Sequence, residues 1–477
     1  MTPRCSRGRG RSGPTTTFRW PPVTDAGVLH CRTVVRYGIG SVGTAAFGTL
    51  PGLVLVYYLT DTLGVPALAA GIVIAVAKIW DVVIDPAIGF VSDRHAEARG
   101  SRRPLMLLGA AALPAAFLVT FAVPGALPTA AQALWVAVAF LLSATAFSLF
   151  QVPYIALPAE LTDDYDQRTR LLTVRVVVLA LGILVFGAGG PALRDAGSSE
   201  AVGYLLMAAV TGVLMGVSMW VASRSADDAR RVVVGDAPVS PAVAYRAAIA
   251  ALRRSRALRM LLGAFVLQGL ATGLMLAGAQ YIATWVLDSE SAVSVLFAAL
   301  IAPALICTPL WGAIARRWGK EVGFVAATAL FALAAVSLAG LWWSSGPWVY
   351  GSVAVAGAAY AGMQALPMAM LPDVIGHDEA THGESAAGTI GGVWTAGETS
   401  GMALGSVLFT LALAIGGYIS SDEPDAVIQP GSALDAMIVG FSVLPAVLAL
   451  VSVPLILRYP LRRTTIETMN DKVVAGD

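Results

Sequence analysis

The sequence predicts an all-α membrane protein of twelve transmembrane helices, arranged as two six-helix halves. Three observations predict it. First, hydrophobic residues make up 57% of the 477 and charged residues only 13%, against roughly 25% charged in an ordinary soluble domain. With a mean hydropathy of +0.74, the chain has too little polar surface to cover itself in water, and lipid solvates the excess. Second, apolar runs of about 20 residues, the length needed to cross the hydrocarbon core, recur along it. Third, basic residues collect on alternate loops.

The apolar runs are 34–59, 67–92, 104–124, 131–157, 171–193 and 201–223, then 260–287, 291–315, 321–343, 348–371, 385–415 and 434–457. They divide the chain into a first half (34–223), a polar, arginine-rich linker (224–259) and a second half (260–457), with tails at 1–33 and 458–477. In the linker Pro241 suits a first helical position, and Ala242, Ala244, Ala247 and Ala248 favour helix after it. Residues 1–33 are rich in Arg, Gly and Pro. They lack the apolar region of about 7–15 residues that a signal peptide carries, and two expectations stand side by side: a disordered cytoplasmic tail, or a start that lies upstream of the natural one. A weak repeat supports two related halves: Gly89-Phe90-Val91-Ser92-Asp93-Arg94 closes run 2 and Gly312 to Lys320 closes run 8.

Cytoplasmic loops accumulate Lys and Arg. Here Arg94, Arg99, Arg102 and Arg103 follow run 2, Arg168 and Arg170 follow run 4, and Arg316, Arg317 and Lys320 follow run 8. The linker and the C-terminal tail are also basic, whereas the intervening loops hold Arg194 alone. This alternation needs an even number of spans and places both termini in the cytoplasm, with the protein in the plasma (inner) membrane. The loop after run 10 is an exception, being acidic.

Several function classes are excluded. Cys5, Cys31 and Cys307 are scattered and form no disulfide framework. His30, His95, His377 and His382 lack zinc-ligand spacing. No phosphate loop or nucleophile elbow is present, so no enzyme, cofactor or nucleic-acid partner is expected.

Ionisable residues at membrane depth are costly and mark candidate sites. Run 2 carries Lys78, Asp81 and Asp85, whose spacings of three and four place them on one helical face. Two carboxylates on one face repel unless a cation or proton lies between them. The pattern therefore suits a coupling-ion site, as hard oxygen ligands for Na⁺ or as a carboxyl pair taking up H⁺. The plainer alternative is that Lys78 neutralises Asp81 and the pair only fixes packing. Arg175 lies about one turn inside run 5, where it either snorkels to the interface or forks hydrogen bonds to a substrate. Glu398 is a lone acid in run 11, for which Lys78 and Arg175 are possible partners. Thr145, Ser148 and Gln151 line one face of run 4, for interhelical hydrogen bonding or for substrate contact.

Three segments together resemble the glycoside–pentoside–hexuronide:cation symporters, the melibiose-permease-like branch of the major facilitator superfamily. They are Lys78-Ile79-Trp80-Asp81 through Asp85-Pro86; Pro158-Ala159-Glu160-Leu161-Thr162-Asp163-Asp164-Tyr165 with Arg168-Thr169-Arg170; and Asp373 through Asp378-Glu379 with Gly383-Glu384. The last family motif is itself acidic, which accounts for the exceptional loop. The resemblance implies the major facilitator fold and sugar uptake driven by Na⁺, H⁺ or Li⁺. It implies a cation site at Asp81 and Asp85 and sugar binding by Arg175. From their positions in and beside the runs, Gln151, Ser148 and Glu398 are further candidates for substrate contact, and Lys78, Asp93, Arg94, Glu160 and Arg168 for structural or gating roles. The expected partners are a small-molecule sugar and membrane lipid, around a monomer.

Departures from the branch matter. Thr44-Ala45 stands where the melibiose permease has a Lys-Asp pair, Gln151 replaces an aspartate, Ile155 replaces an aromatic sugar platform, and Ile84 replaces the asparagine before Asp85. No clear match exists for its run-11 lysine. The sugar need not then be a galactoside, and H⁺ gains weight over Na⁺ as coupling ion. A lysophospholipid or drug transporter on the same scaffold is the alternative. A non-transporting sensor is disfavoured, because it has no need of a costly acid pair.

Overall fold

The computed structural model describes residues 29–162, 165–229, 241–289, 291–382, 387–421 and 428–461. Every regular element among them is helical. The first group comprises α1 (Cys31–Leu50), α2 (Ala67–Arg99), α3 (Arg103–Phe121), α4 (Thr129–Leu161), α5 (Tyr165–Asp195) and α6 (Glu200–Ser223). A short helix, α7 (Pro241–Arg254), begins at Pro241. The second group comprises α8 (Arg256–Tyr281), α9 (Ala292–Trp318), α10 (Lys320–Ser337), α11 (Trp348–His382) and α12 (Ala387–Gly416). Its last span is α13 (Gly431–Ile438) continued through a π turn into α14 (Leu444–Leu457). Twelve of these helical runs are long and apolar enough to cross a membrane.

The helices outrun the apolar segments. Arg94 and Arg99 lie within α2, Pro158 to Leu161 within α4, Arg168 and Arg170 within α5, and Asp373 to Asp378 within α11, all read from the sequence as loop residues. Hydropathy marks where lipid ends, while backbone hydrogen bonding continues until a residue stops it. Gly100 stops α2 in the left-handed region, at φ 72°, where a side chain would be strained.

The two groups pack by one plan. α1 lies on α5 and α6 as α8 lies on α12 and α14. α3 lies on α4 and α6 as α10 lies on α11 and α14. α2 lies on α4 as α9 lies on α11. Small residues make these approaches possible: a Cβ on Gly273 of α8 would stand 2.0 Å from the Met402 carbonyl of α12, and one on Gly405 would stand 2.4 Å from the Leu270 carbonyl.

Between the groups, α2 meets α12 and α5 meets α9. With an even number of spans, the described ends Leu29 and Leu461 lie on one face, and the loops after α1, α5, α8 and α12 lie on the other, far face. Several described contacts between groups cluster toward that far face: Gly52 against Leu276, Gly71 against Thr410, and Gly187 against Phe297.

Candidate substrate and cation site

α2 carries Lys78, Asp81 and Asp85 along one stripe and packs against α4, whose stripe is Thr145, Ser148 and Gln151. The two stripes meet. Trp80 Nε1 donates to Thr145 Oγ1 at 2.9 Å, and the Asp85 carboxyl interacts with the Ser148 hydroxyl. Lys78 Nζ lies 3.1 Å from Asp81 Oδ2, with both side chains partly accessible. Asp85 Oδ1, by contrast, is buried without a hydrogen-bond partner. The single lysine therefore pairs directly with one acid and acts on the other only through space. Because the Lys78–Asp81 pair lies within one helix, it does not fasten α2 to a neighbour.

At the end of the same α4 stripe, Gln151 Oε1 accepts from Thr44 Oγ1 of α1 at 2.8 Å. Thr145, Ser148 and Gln151 thus all make interhelical contacts within the first group. Arg175 on α5 does not extend freely. Its guanidinium lies 5.5 Å above the Tyr154 ring and interacts with the Tyr37 hydroxyl. Tyr37 and Tyr154 stack at 4.6 Å, and Tyr154 Oη donates to the Tyr37 carbonyl at 2.7 Å. Tyr37 and Tyr154 form an aromatic shelf that the sequence reading missed. Their positions on α1 and α4 carry no local signal, since a tyrosine in an apolar run reads as core.

Glu398 on α12 borders a cavity of about 10 Å³ lined by Gln268, Tyr360 and Gln364 among others, about the space of one water. Among the described residues no ion pair joins it to Lys78 or Arg175, which were candidate partners. Lys78 turns instead to Asp81 on its own helix, and Arg175 turns to Tyr154.

Glu160 closes a clamp at the face that carries the termini. Arg102 Nε donates to its Oε1 at 2.5 Å, and Arg102 Nη1 donates to Ser92 Oγ at 2.8 Å, joining α2, α4 and the turn before α3. Arg94 stacks over Phe90 at 4.9 Å. The side chains of Asp93 and Arg168 lie outside the described ones. The acidic end of α11 faces cations: Lys320 Nζ lies 2.6 Å from Asp373 Oδ2, and Arg254 of α7 grips Asp378 through Nε and Nη2. These pairs supply the charge balance that the acidic segment lacks in its own sequence.

Asp378 is buried while Arg254 is 30% exposed in its side chain. Removing one partner of a buried pair costs about 3–5 kcal/mol, and partial exposure of Arg254 lowers the expectation to about 2 kcal/mol. Asp378→Ala should therefore lower the apparent Tm in detergent by a few degrees. An unchanged melting curve would show the pair to be superficial.

A family model described as MFS/sugar transport protein matches residues 36–463. The chain belongs to that family. This sugar-transport family of the major facilitator superfamily is a family of membrane transporters and not of enzymes, in agreement with twelve apolar helices and the resemblance read from the motifs. The chain is 36% identical over 155 residues to an uncharacterized symporter of Synechocystis, covering 31% of this chain and 28% of the relative. It is 26% identical to a glucuronide carrier protein homolog of Escherichia coli, covering 39% of this chain and 42% of the relative. The chain thus matches less than half the length of each of these relatives. In fold it is similar to a bacterial homologue of the iron transporter ferroportin solved in an inward-facing state, with a TM-score of 0.63, 12% identity, and 90% and 97% of the two chains covered.

Proposed function

We propose that this transporter is a cation-coupled symporter that imports a glycoside, pentoside or hexuronide by alternating access, with a proton as the coupling ion. The observation that carries the reading is the buried, unpartnered Oδ1 of Asp85. A carboxylate in such a place must be neutralised or fully hydrogen-bonded, and Lys78 is already engaged by Asp81. A proton needs only one oxygen. A metal cation such as Na⁺ needs several oxygen ligands, as hard cations do, and Ile84 offers an apolar side chain beside Asp85. Binding at Asp81 and Asp85 favours sugar binding by reciprocal coupling. Arg175, held over Tyr154 and beside Tyr37, presents a planar fork for sugar hydroxyls or a hexuronide carboxylate. Ser148, which touches Asp85, links the cation site to the sugar side.

Basic residues at the end of α2, the start of α5 and the end of α9 support a cytoplasmic position for both termini, so the far face is external. The test is counterflow of labelled glycosides, pentoses, hexuronides and lysophospholipids in proteoliposomes. At least one sugar should exchange. Exchange of lysophospholipid with no sugar exchanged would contradict the reading.

A further inference from the structure

At the far face the two groups of spans are joined through a carboxylate that the transport site does not use. Asp61 lies in the π-helical turn Tyr58–Thr62 that continues the first span, and it is 2% exposed. A π turn adds a residue to the helical repeat and so re-aims the side chains around it. Asp61 Oδ1 accepts from Trp285 Nε1 at 3.3 Å and from the Tyr418 hydroxyl. Its Oδ2 accepts from Thr60 Oγ1 at 2.5 Å. The Thr60 hydroxyl lies 2.6 Å from that of Tyr281. With Thr60 donating to the carboxylate, that bond runs from Tyr281 to Thr60. The backbone follows the same path, as Ser421 N donates to the Thr60 carbonyl at 3.1 Å.

One acid on the first span thus receives donors from the end of α8 and from the segment after α12. The contact is dry. Tyr281 is fully buried and meets Tyr57 at 5.3 Å and Tyr418 at 5.5 Å, both edge-on. A carboxylate is the group that this arrangement needs, because it only accepts hydrogen bonds and every neighbour donates. The same feature makes the contact two-state. A buried carboxylate is tolerated while its donors are present, and once they withdraw it must be hydrated. A half-separated contact offers neither.

We propose that Asp61 is the latch of the outer gate, a positioning residue whose hydrogen bonds from Trp285 and Tyr418 hold the far face closed and whose release from them opens it. This inference rests on the alternating-access reading above. It is tested in a background with Cys5, Cys31 and Cys307 replaced, in right-side-out membrane vesicles. Thr410→Cys reports on the gate, since Thr410 is fully buried against Gly71 of the opposite group. Thr328→Cys is the control, since Thr328 is fully buried within the second group, bonded to Gln268. The measured quantity is the rate of modification by a membrane-impermeant maleimide.

Asp61→Ala and the milder Tyr418→Phe should each raise labelling at position 410 severalfold and leave position 328 unlabelled. Equal labelling at both positions would mean a loosened fold and would overturn the latch. Gly187→Trp separates the remaining outcomes, because Gly187 already abuts Phe297 across the far face and a bulky side chain there wedges it open. If the wedge raises labelling while the Asp61 and Tyr418 variants stay at the parent rate, the latch is overturned and alternating access stands. If neither the wedge nor these variants raise it, the alternating-access reading fails and the latch with it.

Discussion

Asp85→Asn abolishes accumulation of sugar against its gradient and leaves downhill exchange intact. Asparagine preserves the shape that packs against Ser148 and removes the group that takes up a proton. One unit of pH gradient can sustain at most about tenfold accumulation at one proton per sugar, since about 1.4 kcal/mol corresponds to a factor of ten. The variant should therefore fall from that ratio to about unity, while counterflow proceeds, because the rocking of the two groups does not use the charge. Asp81→Asn should also lose accumulation, by a different route. It releases Lys78, three residues away on the same stripe, to serve as the cation for Asp85, so the coupling proton is displaced by a fixed ammonium. Uptake of a labelled sugar into proteoliposomes under an imposed pH gradient checks both. Accumulation that survives in both variants would make the cluster structural.

Arg175→Lys weakens sugar affinity by roughly ten- to a hundredfold. A hydrogen bond to a charged group contributes about 1.5–3 kcal/mol, and an ammonium cannot reproduce the planar fork. Lysine also lies less well on the Tyr154 face, so its ammonium is not held where the guanidinium stands. The thermal stability of the variant should stay close to that of the parent, because Tyr37 and Tyr154 remain stacked and bonded to each other without Arg175. Half-saturation for the sugar that exchanges in counterflow is the measurement. Parent affinity in the lysine variant would leave Arg175 as an interfacial side chain.

The twelve spans were legible because apolar character is a local property, and the lipid that selects it acts on each helix separately. The helix ends were less so. Arg94 to Arg99 and Asp373 to His382 are polar enough to read as loops, yet nothing in them breaks a helix, and α2 and α11 run through them. The shared face of Lys78, Asp81 and Asp85 follows from helical spacing alone. Which acid Lys78 chooses, and that Ser148 rather than a second cation meets Asp85, depends on how α2 lies on α4, which spacing does not encode. The aromatic shelf beneath Arg175 and the partners of Asp61 were out of reach for the same reason. Trp285 and Tyr418 are 224 and 357 residues from Asp61, and a lone acid at the end of an apolar run reads as the start of a loop. The sequence also left open whether the polar stripe on α4 serves packing or substrate; its partners Trp80, Asp85 and Thr44 show that it makes interhelical contacts within the first group, which are compatible with a role in substrate contact.

We propose above all that Asp85 carries the proton that drives sugar uptake. Its most direct test is the pH of a lightly buffered suspension of de-energised, right-side-out vesicles at the moment sugar is added. Downhill sugar entry should draw protons in with it and make the medium transiently alkaline, equally in the presence and absence of Na⁺, and Asp85→Asn should abolish the signal while sugar still enters. Sugar entry in the parent with no pH change, or an alkaline shift undiminished in Asp85→Asn, would contradict the account.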